Sequence, residues 1–166
     1  MKKFIKDSYP YVIVIAVVLL FKSFIISPIR VHGDSMYDTL RNGDIMILNK
    51  IGYSLSGVER FDIVVLKHND KYWIKRVIGM PGEKLKVINN KLYINEEYIE
   101  EPFLDENEIT STFFLEDTIP EGYYFVMGDN RDESNDSRIV GPIAENDILG
   151  IANYTIFPFS RFGYKD

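Results

Sequence analysis

Ser35 and Lys75 are the two residues of this chain whose types and settings fit the making of a nucleophile. Ser35 stands in Gly33-Asp34-Ser35-Met36-Tyr37-Asp38-Thr39-Leu40, and Lys75 in Tyr72-Trp73-Ile74-Lys75-Arg76-Val77-Ile78-Gly79-Met80-Pro81-Gly82-Glu83. A serine hydroxyl needs a base before it attacks a carbonyl, and a lysine amine is such a base once its pKa is depressed. Gly33 before Ser35 and Asp38-Thr39 after it mark a turn, which exposes the side chain and lets backbone N–H groups converge. Lys75 belongs to a strand-like run. Period two puts Trp73 and Val77 on its own face and Arg76 on the other. An ammonium on an apolar face is penalised, so desolvation favours the neutral amine, which takes a proton from serine where a solvated lysine near pKa of about 10.4 mostly does not. Judged residue by residue, an ordinary turn serine and a lysine that snorkels to water remain open as readings.

A third cluster is Met127-Gly128-Asp129-Asn130-Arg131-Asp132-Glu133-Ser134-Asn135-Asp136-Ser137-Arg138. Such density of polar residues suits a solvated loop. Its alternating acids and arginines also suit buried ion pairs, and Gly128 permits tight backbone geometry.

The elements that must position these residues are mainly strands. Asp44–Asn49, Asp62–Lys67, Tyr72–Gly79, Tyr123–Met127 and Ile148–Tyr154 read as short strands, and Lys84–Ile88 with Lys91–Asn95 flank Asn89-Asn90 as a hairpin. No stretch beyond residue 30 carries a long helical period. The expected fold is mainly β, a coiled antiparallel sheet system rather than a repeat. The stretch from Glu96 to Asp117 is acidic and irregular, a peripheral loop or ribbon. His68 falls in a hairpin turn and His32 in a linker.

Upstream, residues 8–29 form an apolar stretch interrupted by Lys22, and a helix of roughly 20 residues spans the hydrocarbon core. Lys22 near the outer end snorkels to the headgroups. The absence of an Ala-x-Ala-like site after the stretch favours an uncleaved anchor over a removable signal peptide. Lys2, Lys3 and Lys6 precede it and few positive residues follow. The expected organisation is therefore a cytoplasmic segment 1–7, a membrane helix 8–29 and an extracytoplasmic domain 30–166. About 135 residues are enough for a self-supporting core.

The 166 residues carry a formal net charge of −6, and the acidic side lies beyond residue 30. An acidic body disfavours nucleic acid as a partner. The chain has no cysteine, which excludes disulfides, zinc–thiolate sites and a thiol nucleophile. No His-x-x-x-His pair is present, so neither a metal nor another cofactor is expected.

Taken in order, the anchor, the Ser35 box, the strand box, the Lys75 box with Arg-Val-Ile-Gly-x-Pro-Gly-Glu, and Gly-Asp-Asn-Arg-Asp-x-Ser-x-Asp-Ser-Arg resemble the bacterial type I signal peptidases of serine/lysine peptidase family S26, over nearly the whole chain. The short length is similar to the Gram-positive kind with a single anchor. The resemblance implies that Ser35 is the nucleophile and Lys75 the general base that later protonates the leaving amine. It implies that Ser134 helps hold the lysine, with Asp136, Arg138, Asp129 and Arg76 as supporting residues. Gly33, Asp34 and Met36 then lie at the substrate and oxyanion side, with the Ser35 N–H as oxyanion donor. Two positions depart from the pattern. Some members carry a donor serine where Gly33 stands, and the family usually has proline where Asp38 stands.

The same resemblance implies secreted preproteins as substrates, cut after small residues in an Ala-x-Ala-like pattern by a monomer at the cell membrane. Phe157-Pro158-Phe159 suits either a lipid-touching loop or core packing. Two rivals differ in class. Self-cleaving repressors share the Ser/Lys pair but carry a DNA-binding domain, and histidine-type signal peptidases place histidine where Lys75 stands. A third reading is a catalytically weak or inactive membrane-tethered module that binds signal peptides.

Overall fold

A computed structural model describes residues 9–15 and 26–165. The order of elements is β1 (Ile26–Arg30), β2 (Ile45–Asn49), α1 (Lys50–Ser56), β3 (Ile63–His68), β4 (Lys71–Gly79), β5 (Leu85–Ile88), β6 (Lys91–Ile94), β7 (Glu97–Ile99), β8 (Phe113–Phe114), β9 (Tyr123–Met127), α2 (Ser137–Val140), β10 (Ile143–Ala144), β11 (Ile148–Phe157) and β12 (Gly163–Tyr164). Among the described residues these strands form an antiparallel eight-stranded sheet, ordered β1-β2-β11-β3-β4-β9-β10 with β12 on β11, and a four-stranded sheet, β7-β6-β5-β8. The mainly β expectation holds. Most of the expected membrane helix lies outside the described residues. Residues 9–15 are helical, and residues 26–29 are not, because they form β1 with Pro28 on a strand that, among the described residues, is an edge strand paired with β2. No helix among the described residues is long and apolar enough to cross a membrane.

Burial explains why the long strands sit where they do. Ile63 to Leu66 of β3 are buried consecutively, which a central strand covered on both faces requires. Ile63 and Val65 join Val31, Met36, Leu40, Met46 and Leu48 on one face, while Val64 and Leu66 join Val77, Val126 and Ile148 on the other. The β5–β6 hairpin instead alternates. Leu85, Val87, Leu92 and Ile94 point into a third cluster with Ile78, Phe125 and Met127, which fastens the smaller sheet onto β4 and β9. Its Asn89-Asn90 turn has φ of 51° and 62°, the left-handed pair that a two-residue hairpin turn demands and that asparagine tolerates. Asn69-Asp70 repeats the device between β3 and β4, with φ of 47° and 59°. His68 ends β3 beside that turn and packs on Trp73, ring centroids 4.6 Å apart.

The β4 strand matters most. Only its C-terminal half pairs with β9, from Arg76 opposite Met127 onward. Residues 71–75 run beyond that ladder, so Lys75 sits where a central strand becomes an edge. Facing that edge is the segment that leaves β1 and carries Ser35.

Candidate active site

Ser35 lies in a turn held by two short backbone bonds, Tyr37 N–H to Asp34 O at 3.0 Å and Leu40 N–H to Met36 O at 2.7 Å. Met36 is 2% exposed and packs in the core. It pins the turn from below and also lines the groove over Ser35. Gly33 has φ of +83° and open space where a Cβ would project, a conformation that favours glycine. A serine side chain has room there, so the constraint on position 33 is backbone conformation rather than crowding.

Lys75 Nζ lies 2.7 Å from Ser35 Oγ and 3.1 Å from Ser134 Oγ. Cross-strand pairing with Val64 and period two put Lys75 on the face of Val64, Leu66, Trp73 and Val77, and its side chain is 4% exposed. Among the described residues it has no carboxylate ion-pair partner; its polar neighbours are two hydroxyls. Burial therefore lowers its pKa to about 8, with the nearby Asp136 opposing that shift and Arg138 adding to it. The Trp73 ring is 5.7 Å from Nζ and covers it from solvent.

The Ser134 hydroxyl lies beside the Asp136 carboxylate and helps to lower its pKa. Burial alone raises the Asp136 carboxyl, but donors from Arg138, the Gly128 N–H and Ser134 outweigh it and hold the group below the ordinary carboxylate range. Arg138 grips Asp136 through Nε at 2.9 Å and Nη2 at 2.8 Å, and Gly128 N–H donates at 3.0 Å. Asp136 also caps α2 through the Arg138 N–H. On the opposite face of β4, Arg76 and Asp129 make a two-pronged pair at 2.9 and 2.8 Å with both side chains almost wholly buried. The structure thus brings Ser35, Lys75, Ser134, Asp136 and Arg138 into one chain of contacts, with the Arg76–Asp129 pair behind it.

Three contributors were hard to read in the sequence. Gly128 is one: an added Cβ would lie 2.3 Å from both Ser134 Oγ and the Ser35 carbonyl oxygen, so only glycine lets the two serines approach. Asn130 is another. Its N–H donates to Ser35 O at 3.2 Å and its side-chain amide to Asp34 O at 3.1 Å, tying the turn to the polar loop. Arg131, 2% exposed, is the third. The motif named these residues, but partners such as Thr110 of Arg131 and Asp34 of Asn130 lie 21 and 96 positions away along the chain and leave no local signal.

A groove of about 920 Å³ opens over Ser35 and Lys75. One wall is the segment Ile29–Asp34 and the other is Lys71–Ile74 of β4, with Glu133 and Asn135 at the rim and His32 at the mouth. Its floor is apolar, with Leu48, Val65 and Leu149. Among the described residues no cluster of three histidine, aspartate or glutamate side chains is placed to hold a metal.

Residues 2–157 match the family described as signal peptidase, peptidase S26. The chain belongs to that family. A curated signal peptidase IB of Staphylococcus aureus strain MRSA252 is 40% identical, covering 96% of this chain and 95% of its own. The signal peptidase I of Bacillus caldolyticus is 35% identical over 95% and 93%. A crystal structure of a signal peptidase I from Enterococcus faecalis V583 is 36% identical with a TM-score of 0.51, covering 57% of this chain and 95% of that one. The resemblance drawn from the ordered motifs is borne out, and with it an enzyme of the signal peptidase I type rather than a repressor or a histidine-type peptidase.

Proposed function

We propose that this chain is a membrane-anchored serine endopeptidase that removes signal peptides from secretory preproteins with Ser35 and Lys75 as its reacting pair. The observation that carries the reading is the 2.7 Å contact between Ser35 Oγ and a buried amine whose pKa is lowered to about 8 by that burial. Ser134 Oγ accepts an N–H of Lys75. The amine lone pair is left to face the Ser35 hydroxyl.

In the first step Ser35 Oγ attacks the carbonyl before the cleavage site while its proton passes to Lys75 Nζ. The Ser35 N–H stabilises the oxyanion; the hydroxyl donor carried by some relatives is missing at Gly33. The resulting ammonium then gives its proton to the leaving amine of the mature chain. Neutral again, Lys75 takes a proton from water, which attacks the acyl–Ser35 ester, and the ammonium returns that proton to Ser35 as the signal peptide carboxylate departs.

Substrate enters as a strand. Among the described residues, 71–75 have no ladder partner on the groove side, and an extended peptide supplies one. Alternate side chains then drop toward an apolar floor close to Ser35, a geometry that favours small residues in an Ala-x-Ala-like pattern. The apolar stretch that leads into β1 is read as the anchor, with its N-terminus cytoplasmic and the domain outside the cell. It delivers the groove to the membrane surface, where the apolar part of a signal peptide resides. We take the enzyme to work as a monomer; Ser35 and Lys75 come from one chain, so the pair needs no second copy.

Incubating the full chain in detergent micelles with a preprotein tests the reading. Cleavage before the mature sequence is expected, and Ser35→Ala and Lys75→Ala should each abolish it. Cleavage that survives either change would overturn the assignment of the pair, and a wild-type chain that only binds the preprotein would favour the non-enzymatic module.

A further inference from the structure

Four consecutive residues after β9 each hold a different part of the site. Gly128 packs against Ser134 and the Ser35 carbonyl, Asp129 pairs with Arg76, and Asn130 holds Ser35 O and Asp34 O. Arg131, the fourth, turns away from the groove to the smaller sheet. Its Nε donates to Gly128 O at 3.1 Å, and Nη1 donates to Thr110 Oγ1 at 2.7 Å. Nη1 and Nη2 both reach the Glu101 carboxylate, at 3.3 and 2.5 Å, and the Arg131 N–H donates to Glu108. The side chains of Arg131 and Glu101 are 1% and 9% exposed. Every partner but Gly128 belongs to the segment between β7 and β8. Phe103 of that segment lays its ring 4.0 Å from the Arg76 guanidinium and 6.0 Å from that of Arg131, so one ring touches both buried cations.

We infer that the segment 100–110 positions the nucleophile: Glu101, with Thr110, fixes Arg131, and Arg131 fixes the Gly128–Asn130 backbone from which Ser35 hangs by its carbonyl. Glu101 is a positioning residue for the reaction, 30 positions from the residue it grips. The acidic ribbon is thereby part of the catalytic geometry and not a peripheral decoration. A planar guanidinium gripped by a carboxylate, a hydroxyl and a carbonyl holds its backbone far more narrowly than a flexible side chain would. Nucleophile placement is sensitive on the scale of about 1 Å.

The inference rests on Ser35 as nucleophile, and the test separates the two. The full chain is assayed with a preprotein substrate as wild type, Ser35→Ala, Glu101→Gln, Glu101→Ala and Leu92→Ala, below the unfolding temperature of each. Leu92 lies in the core of the smaller sheet, 1% exposed, and makes none of the hydrogen bonds of Arg131, so Leu92→Ala destabilises that sheet while leaving the hydrogen-bonding groups of the clamp in place. Glu101→Ala should lower kcat on the order of 10-fold or more. Its KM should stay within about twofold and the pH midpoint should stay where Lys75 sets it. Glu101→Gln, which keeps one acceptor oxygen, should lose less, and Leu92→Ala should keep the wild-type kcat. Wild-type kcat in Glu101→Ala, or an equal loss in Leu92→Ala, overturns the positioning role. Activity in Ser35→Ala would instead overturn the nucleophile assignment.

Discussion

Lys75 and Arg76 are neighbours on one strand, both cationic by type and both nearly sealed from water at 4% and 0% exposure, yet the protein treats them in opposite ways. Arg76 faces a carboxylate that matches its fork, the carbonyl of Phe61 and the ring of Phe103. Paired in this way, it fastens β4 to the polar loop. Lys75 faces two hydroxyls and an indole. The carboxylates within range are engaged elsewhere, Asp136 by Arg138 and the Gly128 N–H and Asp129 by Arg76. Charge that is answered becomes structure, and charge left unanswered becomes a base. The site depends as much on withholding a counterion from Lys75 as on placing Ser35 beside it.

The largest effect should come from making Lys75 more like its neighbour. Lys75→Arg puts a group that does not deprotonate against Ser35, and kcat/KM should fall on the order of 10⁴-fold with the circular dichroism spectrum unchanged. An active Lys75→Arg enzyme would mean that the proton goes elsewhere.

Next in size is damage to the answered side. Asp129→Asn leaves the Arg76 guanidinium buried and poorly matched, and chemical denaturation should report a loss of about 3–5 kcal/mol. The same change should leave the Lys75 titration nearly in place, because Asp129 is a lesser contributor to it. A stability change below about 1 kcal/mol would show that the pair is not the fastening described.

Gly128→Ala is expected to cost less stability but to spoil the approach of the two serines. With a Cβ 2.3 Å from both Ser134 Oγ and Ser35 O, something must shift, and a displacement of that kind lowers kcat on the order of 100-fold. Near-normal turnover in this variant would show that the loop relaxes without disturbing Ser35.

The smallest effect runs the other way. Lys75→Met removes an amine whose protonated form the fold penalises. The folded-state pKa of about 8 lies below the value of 10.5 for a solvated lysine, so the native state is disfavoured in full at pH below 8. That penalty fades as pH rises from 8 toward 10.5. The variant should be inactive and about 2 kcal/mol more stable at neutral pH, with the gain vanishing at high pH. A destabilised Lys75→Met at pH 7 would mean that the ammonium is well solvated.

Much of this contrast was legible before any fold was known. Period two alone puts Lys75 and Arg76 on opposite faces, and Trp73 and Val77 mark the apolar one. Long strands were legible because Ile63–Leu66 and Leu85–Ile94 carry burial patterns that only strands of their kinds satisfy, and Asn89-Asn90 marks its own turn. Several elements escaped for physical reasons. The β7, β8, β10 and β12 strands have two or three residues each, too few for a period to appear. The α1 helix spans seven residues with none buried, so it has no apolar stripe. Residues 26–29 read as the end of an apolar helix because apolar content does not distinguish a span's last turn from an edge strand; Pro28 was the local sign. The grip of Glu101 on Arg131 left no trace, since both ends sit in polar stretches whose composition fits solvated loops equally well.

The most direct measurement is the titration of Lys75 itself, followed by NMR on lysine side-chain carbons of the full chain in micelles, with Lys75→Met to assign the signal. A midpoint of about 8, matched by a rise of kcat/KM through the same pH, is the predicted result. A Lys75 midpoint near that of the exposed lysines, or activity that ignores it, would contradict the claim that burial without a counterion turns this amine into the base.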